Sequence, residues 1–480
     1  MERRTFLRAS AAAVAVGGPL AYVFRARESA ESLLVPDANN LLDLAPGFSY
    51  QVIGRSGDRL SDGWRAPALP DGMACFTGAD GSWILMRNHE VERDPRQGAF
   101  DGPAPSHLAH DPRAQGGVSR LVLDPETLAV RSGNMVLAGT LRNCAGGPSP
   151  WGWLSCEETV EEGHGYVFAC PIEASSLVKA EPIHGYGRFR HEAVAIDPRT
   201  HVAYLTEDEG DGCLYRFVPD DPARPFTGKL QAMKVEGSNK YNTSERMGED
   251  RRVRVGWVDV PDAMTPGDGS WRDRLRRDTL RDRAQEAGAA IVRRGEGIWY
   301  HEGQVFFTST NGGKAGAGQV FRLQLARDTL SLARHEAPAS GAAAEGGSAK
   351  GGSAKGRAAT GTTASGVTSS GEQAVARVSP GALDVLELVA ESAGRHELDG
   401  PDNVTVAPWG EVFVAEDGGG EQFIRAIDAD GRIRDVARNA NSGGELAGVC
   451  FSPDGSTLFF NLHREGLTVA VRGPWQRASA

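Results

Sequence analysis

Along this chain a short apolar run, a tight polar turn and a second apolar run ending on acids or amides recur again and again. Met73–Glu90 reads MACFTGADGSWILMRNHE, Ala193–Glu209 reads AVAIDPRTHVAYLTEDE and Gly297–Asn311 reads GIWYHEGQVFFTSTN. Val404–Asp417 reads VTVAPWGEVFVAED and Gly448–Asn461 reads GVCFSPDGSTLFFN, while a looser sixth copy closes on Trp153–Glu158, WLSCEE. Apolar and β-branched runs of this length, bounded by Asp-Gly and Asp-Pro, predict strands joined by tight turns. Strands are expected from about residue 45 to 325 and again from 382 to 471. Six unequal copies predict an all-β fold, a six-bladed β-propeller with irregular insertions between blades. They exclude a regular WD40 array.

Two stretches break the pattern. Asp268–Ala290 is charged, arginine-rich and helix-favouring, which predicts a solvated surface helix. Ala337–Gly371 is rich in Ala, Gly, Ser and Thr without apolar periodicity, so a disordered loop is expected there. The remainder, about 45–475, is expected to be one domain, since a propeller of this length needs no second core.

In a repeat of this kind equivalent strand ends meet in space. Here that would gather Asn88, His89, Glu90, Glu157, Glu158, Glu207, Asp208, Asn311, Glu416, Asp417 and Asn461. So many carboxylates cannot share one site as free anions, because like charges at close range repel and desolvation adds to the cost. The cluster therefore holds cations, or the ends do not converge.

Composition sharpens this. The formal net charge of −11 argues against nucleic acid as the main partner and suits hard cations. At the N-terminus Arg3-Arg4 precede Phe6-Leu7 and a broken apolar run from Ala9 to Phe24. Paired arginines in that setting resemble a twin-arginine export signal over residues 1–30, with the twin-arginine translocase as partner and the periplasm or exterior as destination. Gly17, Gly18 and Pro19 interrupt the run, so it makes a poor membrane span. No A-x-A cleavage site stands out, which leaves open an uncleaved anchor. The six cysteines form no CxxC pair, so a zinc knuckle is not expected. Cys75, Cys213 and Cys450 lie in or beside strands and read as small buried hydrophobes.

The densest chemistry lies in Gly139–Glu158, GTLRNCAGGPSPWGWLSCEE, whose glycines and prolines suggest a rigid shaped loop. Cys144 sits beside Arg142, where a nearby cation favours thiolate. This segment resembles the signature of the PhoX family of exported alkaline phosphatases. Further motifs follow: Asn88-His89-Glu90, Arg190-His191-Glu192, Arg294-Gly295-Glu296-Gly297, Gly400-Pro401-Asp402-Asn403, and Glu445 ahead of Gly448–Gly455. The resemblance implies a six-bladed propeller that hydrolyses small-molecule phosphomonoesters with two ferric ions and several calcium ions. It also implies Cys144 as an iron ligand, Glu157 or Glu158 as a metal ligand, and Glu192, Glu296 and Asp402 as further carboxylate ligands. Arg294 would grip phosphate and Asn403 would assist at a metal or the substrate. Glu207, Asp208, Glu416 and Asp417 are calcium candidates on strand-end position. Two departures bear on this: Trp151-Gly152-Trp153 is one residue shorter than the family pattern, and Gly295 stands where proline is common.

His89 and His191 are expected in supporting roles, and His164, His184, His301 and His463 as polar residues near turns. Trp151, Trp153, Trp299 and Trp409 are expected to pack between blades. No G-x-S-x-G elbow or Ser-His-Asp set appears, which favours a metal mechanism. The rival readings are an exported calcium-binding propeller without catalysis and a calcium-dependent hydrolase of lactonase or phytase type. Cys144 argues against the first, because calcium takes oxygen donors, and Cys144 with Arg294 argues less strongly against the second. A monomer is expected.

Overall fold

The computed structural model describes residues 33–265, 267, 279–326 and 383–475. The strands begin with β1 (Leu42–Leu44) and β2 (Ser49–Arg55). The first blade is β3 (Pro70–Thr77), β4 (Trp83–His89), β5 (Gly116–Leu123) and β6 (Val130–Thr140). The second is β7 (Asn143–Ser149), β8 (Gly152–Glu157) and β9 (Val167–Cys170). The third is β10 (His191–Ile196), β11 (Ala203–Glu207), β12 (Leu214–Pro219) and β13 (Gly228–Val235). Helix α1 (Thr243–Asp250), β14 (Arg252–Asp259) and helix α2 (Leu280–Glu286) follow. The fourth blade is β15 (Gly295–His301), β16 (Gln304–Ser309), β17 (Gln319–Gln324) and β18 (Asp384–Glu391). The fifth is β19 (Pro401–Val406), β20 (Val412–Glu416), β21 (Phe423–Ile427) and β22 (Ile433–Asn439). The sixth is β23 (Leu446–Phe451), β24 (Thr457–Leu462) and β25 (Leu467–Arg472).

Neighbours within each blade are antiparallel, and the inner strands β3, β7, β10, β15, β19 and β23 touch one another in a closed ring. Chain from the N-terminal side completes the last blades. β2 pairs with β25 and β1 with β22, which covers two outer edges that would otherwise expose unpaired backbone. β14 pairs with both β13 and β18, fusing the outer edges of the third and fourth blades. The six hairpins read from the sequence all fall on inner strand pairs.

Burial follows position. β4, β10, β11 and β20 are buried on both faces, which is why their sequences run apolar without alternation. The outer β18 alternates buried and half-buried residues, as a strand with one wet face must. Apolar side chains interlock between adjacent blades, Leu388, Phe307 and Phe321 against Tyr204 and Leu214 among them. Four inner hairpins turn on a glycine at positive φ: Gly81 (78°), Gly303 (81°), Gly410 (92°) and Gly455 (72°).

Two expectations change. Gly139–Glu158 is not a loop but the end of β6 followed by the inner hairpin β7–β8. Its glycines are there because β7 is squeezed on both sides. A Cβ on Gly146 would lie 1.9 Å from the Leu154 carbonyl, and one on Gly147 would lie 1.7 Å from that of Val194. Among the described residues of 268–290 a helix covers Leu280–Glu286, and it is not a solvated face, since Leu280, Arg281, Ala284 and Gln285 are buried. Residues 268–278, the 337–371 segment and the N-terminal signal lie outside the described residues. Among the described residues no helix is long and apolar enough to cross a membrane.

Candidate metal centre

All six inner strands break register at the same place, where two residues of the inner strand oppose one residue of its partner. The breaks fall between Pro70 and Met73, Asn143 and Gly146, His191 and Val194, Gly295 and Ile298, Pro401 and Val404, and Ala447 and Cys450. Bulges of this kind re-aim a side chain. The first residue of each is Asp71, Cys144, Glu192, Glu296, Asp402 and Gly448. Five of the six blades therefore offer a metal-binding side chain at one level of the axis.

Four of the six second bulge residues are glycine or alanine. Gly72, Ala145, Ala193, Gly297, Asn403 and Val449 surround a cavity of only about 20 Å³. A Cβ on Gly72 would stand 2.5 Å from Ala145 Cα, and one on Gly297 would stand 2.7 Å from Asn403 Cα. Neighbouring blades clasp the bulge carbonyls. Asn88 Nδ2 donates to the Cys144 carbonyl (3.1 Å), Thr308 Oγ1 to that of Asp402 (2.7 Å) and Asn461 Nδ2 to that of Asp71 (2.7 Å).

A second ring comes from the residue that follows the partner of each pre-bulge residue: Glu90, Glu158, Asp208, Thr310, Asp417 and, in the sixth blade, Leu462. Strand alternation turns the residue before each one away. Glu157 accepts from the backbone N–H of Leu141 (2.9 Å), Gly165 (2.9 Å) and Tyr166 (3.2 Å), and its Oε1 lies 2.7 Å from His164 Nδ1. Glu207 accepts from Cys213 N and Tyr215 Oη. Its other oxygen lies 3.6 Å from Arg281 of α2. Glu416 accepts from Asp399 N, Phe423 N and Arg425 Nε. These three glutamates are saturated by their own blades and stand in none of the three side-chain groups that could hold a cation. Glu158, not Glu157, is the member of that pair in such a group.

Three groups of side chains bring ligand atoms within 4.8 Å of one another: Glu192, Glu296 and Asp402; Glu90, Cys144 and Glu158; and Asp71, Glu90 and His463. Asp208 and Asp417 lie beside them. Burial, and then the charges of Glu296, Asp402 and Glu158, push Glu192 well above the ordinary carboxylate range. Glu296, Asp402 and Asp71 are pushed the same way by burial and by one another's neighbours. Burial and Glu445 raise Asp417 to about 6. Cys144 is likewise driven well above the usual thiol range by burial and the surrounding acids. Arg142 alone does not offset this and make it a thiolate. Its Sγ lies 3.3 Å from Glu158 Oε2.

Arginines line the rim on three consecutive blades, each two residues ahead of a bulge ligand. Arg142 pairs with Glu158 and, at 3.0 Å, with Glu90. Arg190 reaches Glu209 at 3.0 Å and Glu158 at 3.6 Å. Arg294 holds Asp208 through Nε (2.7 Å) and Glu296 through Nη2 (2.8 Å), and is about two-fifths exposed. Asn403 Oδ1 accepts from the Gly448 N–H, and its amide lies 3.2 Å from Asp402 Oδ2. Both contacts turn it to the Asp402 carboxylate and the sixth-blade backbone.

Sequence reasoning did not pick out Asp71; it named Glu90 among the converging strand ends, Arg190 and Glu445 within motifs and His463 near a turn, without giving any of these four an individual role at the site. Asp71, Glu90 and Arg190 stand at positions that recur from blade to blade, so alignment of the blades by their bulges would have found them, whereas Glu445, three residues ahead of Gly448, is matched by an acid only at Asp399. His463 stands, as expected, in the turn after β24, and its ring also joins Asp71 and Glu90 in one of the three groups. His89, held by Ala68 O and Ser119 Oγ, and His191, held by Gly187 O, support as expected. All six cysteines are free thiols.

The donor set fits metal ions. Buried acids that repel one another, with Asp71 Oδ1 buried and without a hydrogen-bond partner, need positive charge among them. Fold and site together define a β-propeller enzyme with an acid- and thiol-lined cation centre under an arginine rim. The chain belongs to the alkaline phosphatase PhoX family, whose model matches residues 30–130 and 126–466. It is a phosphatase, releasing phosphate from organic phosphate esters in a metal-dependent way. The solved structure of Pseudomonas fluorescens PhoX in complex with vanadate, a transition state analogue, shares the fold at 16% identity and a TM-score of 0.60. That match covers 90% of this chain and 96% of the other. A gluconolactonase from Xanthomonas campestris matches at 10% identity and a TM-score of 0.39, covering 88% of this chain and 94% of its own. A comparison with curated proteins gave no match.

Proposed function

We propose that the phosphatase works with two ferric ions and calcium. Iron would be held by Glu90, Cys144 and Glu158 on one side of the axis and by Glu192, Glu296 and Asp402 on the other. Calcium would take the oxygen donors that remain at the same level, Asp208 and Asp417. The observation that carries this reading is Cys144: a buried thiol among carboxylates suits a metal softer than calcium. When bound, such ions neutralise phosphate and supply an activated oxygen nucleophile at neutral pH.

The chain's own residues do the positioning. Arg294 holds Asp208 and Glu296 through Nε and Nη2, which leaves Nη1 directed to none of these partners and available to a phosphate oxygen. Arg142 and Arg190 complete a cationic arc on that side of the mouth. A trianionic arrangement in the transition state would gain most from these planar donors, since they are fixed before the substrate arrives. Asn403 acts through Asp402, holding the carboxylate and the Gly448 backbone together. Export through the twin-arginine translocase in the folded, metal-loaded state, and action as a monomer on small-molecule phosphomonoesters, complete the proposal.

Arg294→Ala tests it. Turnover of p-nitrophenyl phosphate should fall roughly 10²–10³-fold, the loss typical of one transition-state donor. Iron content by elemental analysis should stay close to that of the parent. Unchanged turnover would remove Arg294 from the reaction. Calcium without iron in active protein would remove the ferric assignment.

A further inference from the structure

A second charged cavity lies where β2 of the sixth blade meets the first blade. It measures about 350 Å³ and shares no residue with the metal centre. Five charged residues line it, Arg55, Asp58, Arg59, Arg87 and Arg131, and of these only Arg87 is buried, at 2% exposure. Arg87 Nε donates to Ser119 Oγ (3.1 Å) and Nη1 to Thr468 Oγ1 (2.6 Å). Both hydroxyls are themselves held. Ser119 Oγ lies 2.7 Å from His89 Nε2, and Thr468 Oγ1 donates to Asn461 Oδ1 (2.7 Å). Nη2 has no acceptor among the described residues, yet it is not sealed from solvent. A Cβ on Gly54 would lie 2.7 Å from Nη1, so β2 is bare where the guanidinium lies against it. Burial lowers Arg87 to about 10, with Asp58 opposing, and it remains a cation at neutral pH.

We propose that this cavity is a second anion site, which takes the phosphate-class dianion of a small organic phosphate or phosphonate on Arg87 Nη2. The site does not depend on the metal assignment. Charge sets the ligand class. Arg131 is already paired with Asp124 at 2.5 Å, so Arg55, Arg59 and Arg87 face Asp58 alone and the cavity is short of two negative charges. A phosphate monoester is close to a dianion at neutral pH, whereas a carboxylate brings one charge. Ile53, Leu60 and Leu121 supply an apolar wall for an organic group. The volume falls in the range of small-molecule sites, about 300–1,000 Å³. The competing arrangement is a structural clamp, with Arg87 joining β5 to β25 and water filling the cavity. A clamp needs no charge, since a neutral amide could bridge the same two hydroxyls, and a buried guanidinium without a counter-ion is costly. An anion on Nη2 removes that cost, and the two held hydroxyls fix the planar fork before the ligand arrives.

The test uses metal-loaded, full-length protein at pH 8 and phenylphosphonate, whose carbon–phosphorus bond a phosphatase does not cleave. Isothermal titration calorimetry should show two sites. Arg294→Ala should weaken one of them, and Arg87→Met should weaken the other roughly 10–100-fold, the worth of a hydrogen bond from a charged group. Arg55→Ala, at an exposed position, should weaken that same second site about 2–5-fold while ester turnover at saturating substrate is unchanged. It carries the test alone if Arg87→Met does not fold. Crystals soaked with phenylphosphonate should place its phosphonate oxygens beside Arg87 Nη2. Inorganic phosphate separates the two sources of such a dianion: equal affinity marks the enzyme's own product as occupant, and weaker binding marks an organic phosphate. One site only, weakened by Arg294→Ala and untouched by the other two substitutions, would overturn the proposal. So would water alone beside Arg87 in soaked crystals, or an anion there at soaking concentration with no second site in solution.

Discussion

Glu157 and Glu158 are one peptide bond apart and face opposite ways. Glu158 stands with Glu90 and Cys144, whereas Glu157 is enclosed by three backbone donors and His164. Their substitutions should therefore separate. Glu158→Gln removes a charge from a cation-binding group and should lower bound metal and turnover together, read by elemental analysis and ester hydrolysis. Glu157→Gln turns an amide N–H₂ towards groups that already donate. It should cost about 1–3 kcal/mol in chemical unfolding with metal retained in the folded fraction. Loss of metal in Glu157→Gln at unchanged stability would show that the wrong glutamate has been placed in the centre. The two-residue period of a strand already contained this distinction. It separates Glu207 from Asp208 and Glu416 from Asp417 in the same way, and strand-end position without side-chain direction did not use it. His463 is different. It breaks the repeat in the blade that lost its acids, so no blade-to-blade comparison points to it.

At the scale of the element, the bulge is the device that builds the site. It turns Asp71, Cys144, Glu192, Glu296 and Asp402 to the axis, and it brings neighbouring backbones so close that four of the six second residues are glycine or alanine. The hairpins were legible as apolar runs ending in acids, but the bulges were not, because register is a relation between two strands and leaves no mark on either alone. The misread Gly139–Glu158 segment shows the cost: glycine and proline signal turns only where the chain is free to turn, and here they signal crowding. Gly147→Ala isolates that crowding away from the ligands. Its Cβ would meet the Val194 carbonyl of the next blade at 1.7 Å, against backbone that cannot swing aside. Overpacking of this kind costs roughly 1–3 kcal/mol. The expected result is a lower unfolding midpoint with the remaining folded protein still metal-loaded, and a midpoint equal to the parent's would contradict the tight inter-blade contact.

For the molecule as a whole, the ring holds its acids at one point, and protons or metal ions must share that point with them. The sign of the pH dependence follows. Glu192, Glu296, Asp402 and Asp71 are held well above the ordinary carboxylate range by burial and mutual repulsion, and burial with Glu445 brings Asp417 to about 6. In the unfolded chain all five titrate at about 4. Between about pH 4 and the raised folded values the folded state binds more protons than the unfolded one, so stability falls as pH rises through that window. Metal ions in the centre replace those protons and bind only the folded state, which stabilises it by mass action. Protein stripped with a chelator should therefore show an unfolding temperature that falls from about pH 5 to pH 8, and the metal-loaded protein should not follow it. The gap between the two should widen with pH, and returning metal at pH 8 should close it. A stripped protein whose unfolding temperature is flat or rises over this range would mean that the five carboxylates are not forced together, and that the centre is assembled by its metals rather than held ready by the propeller.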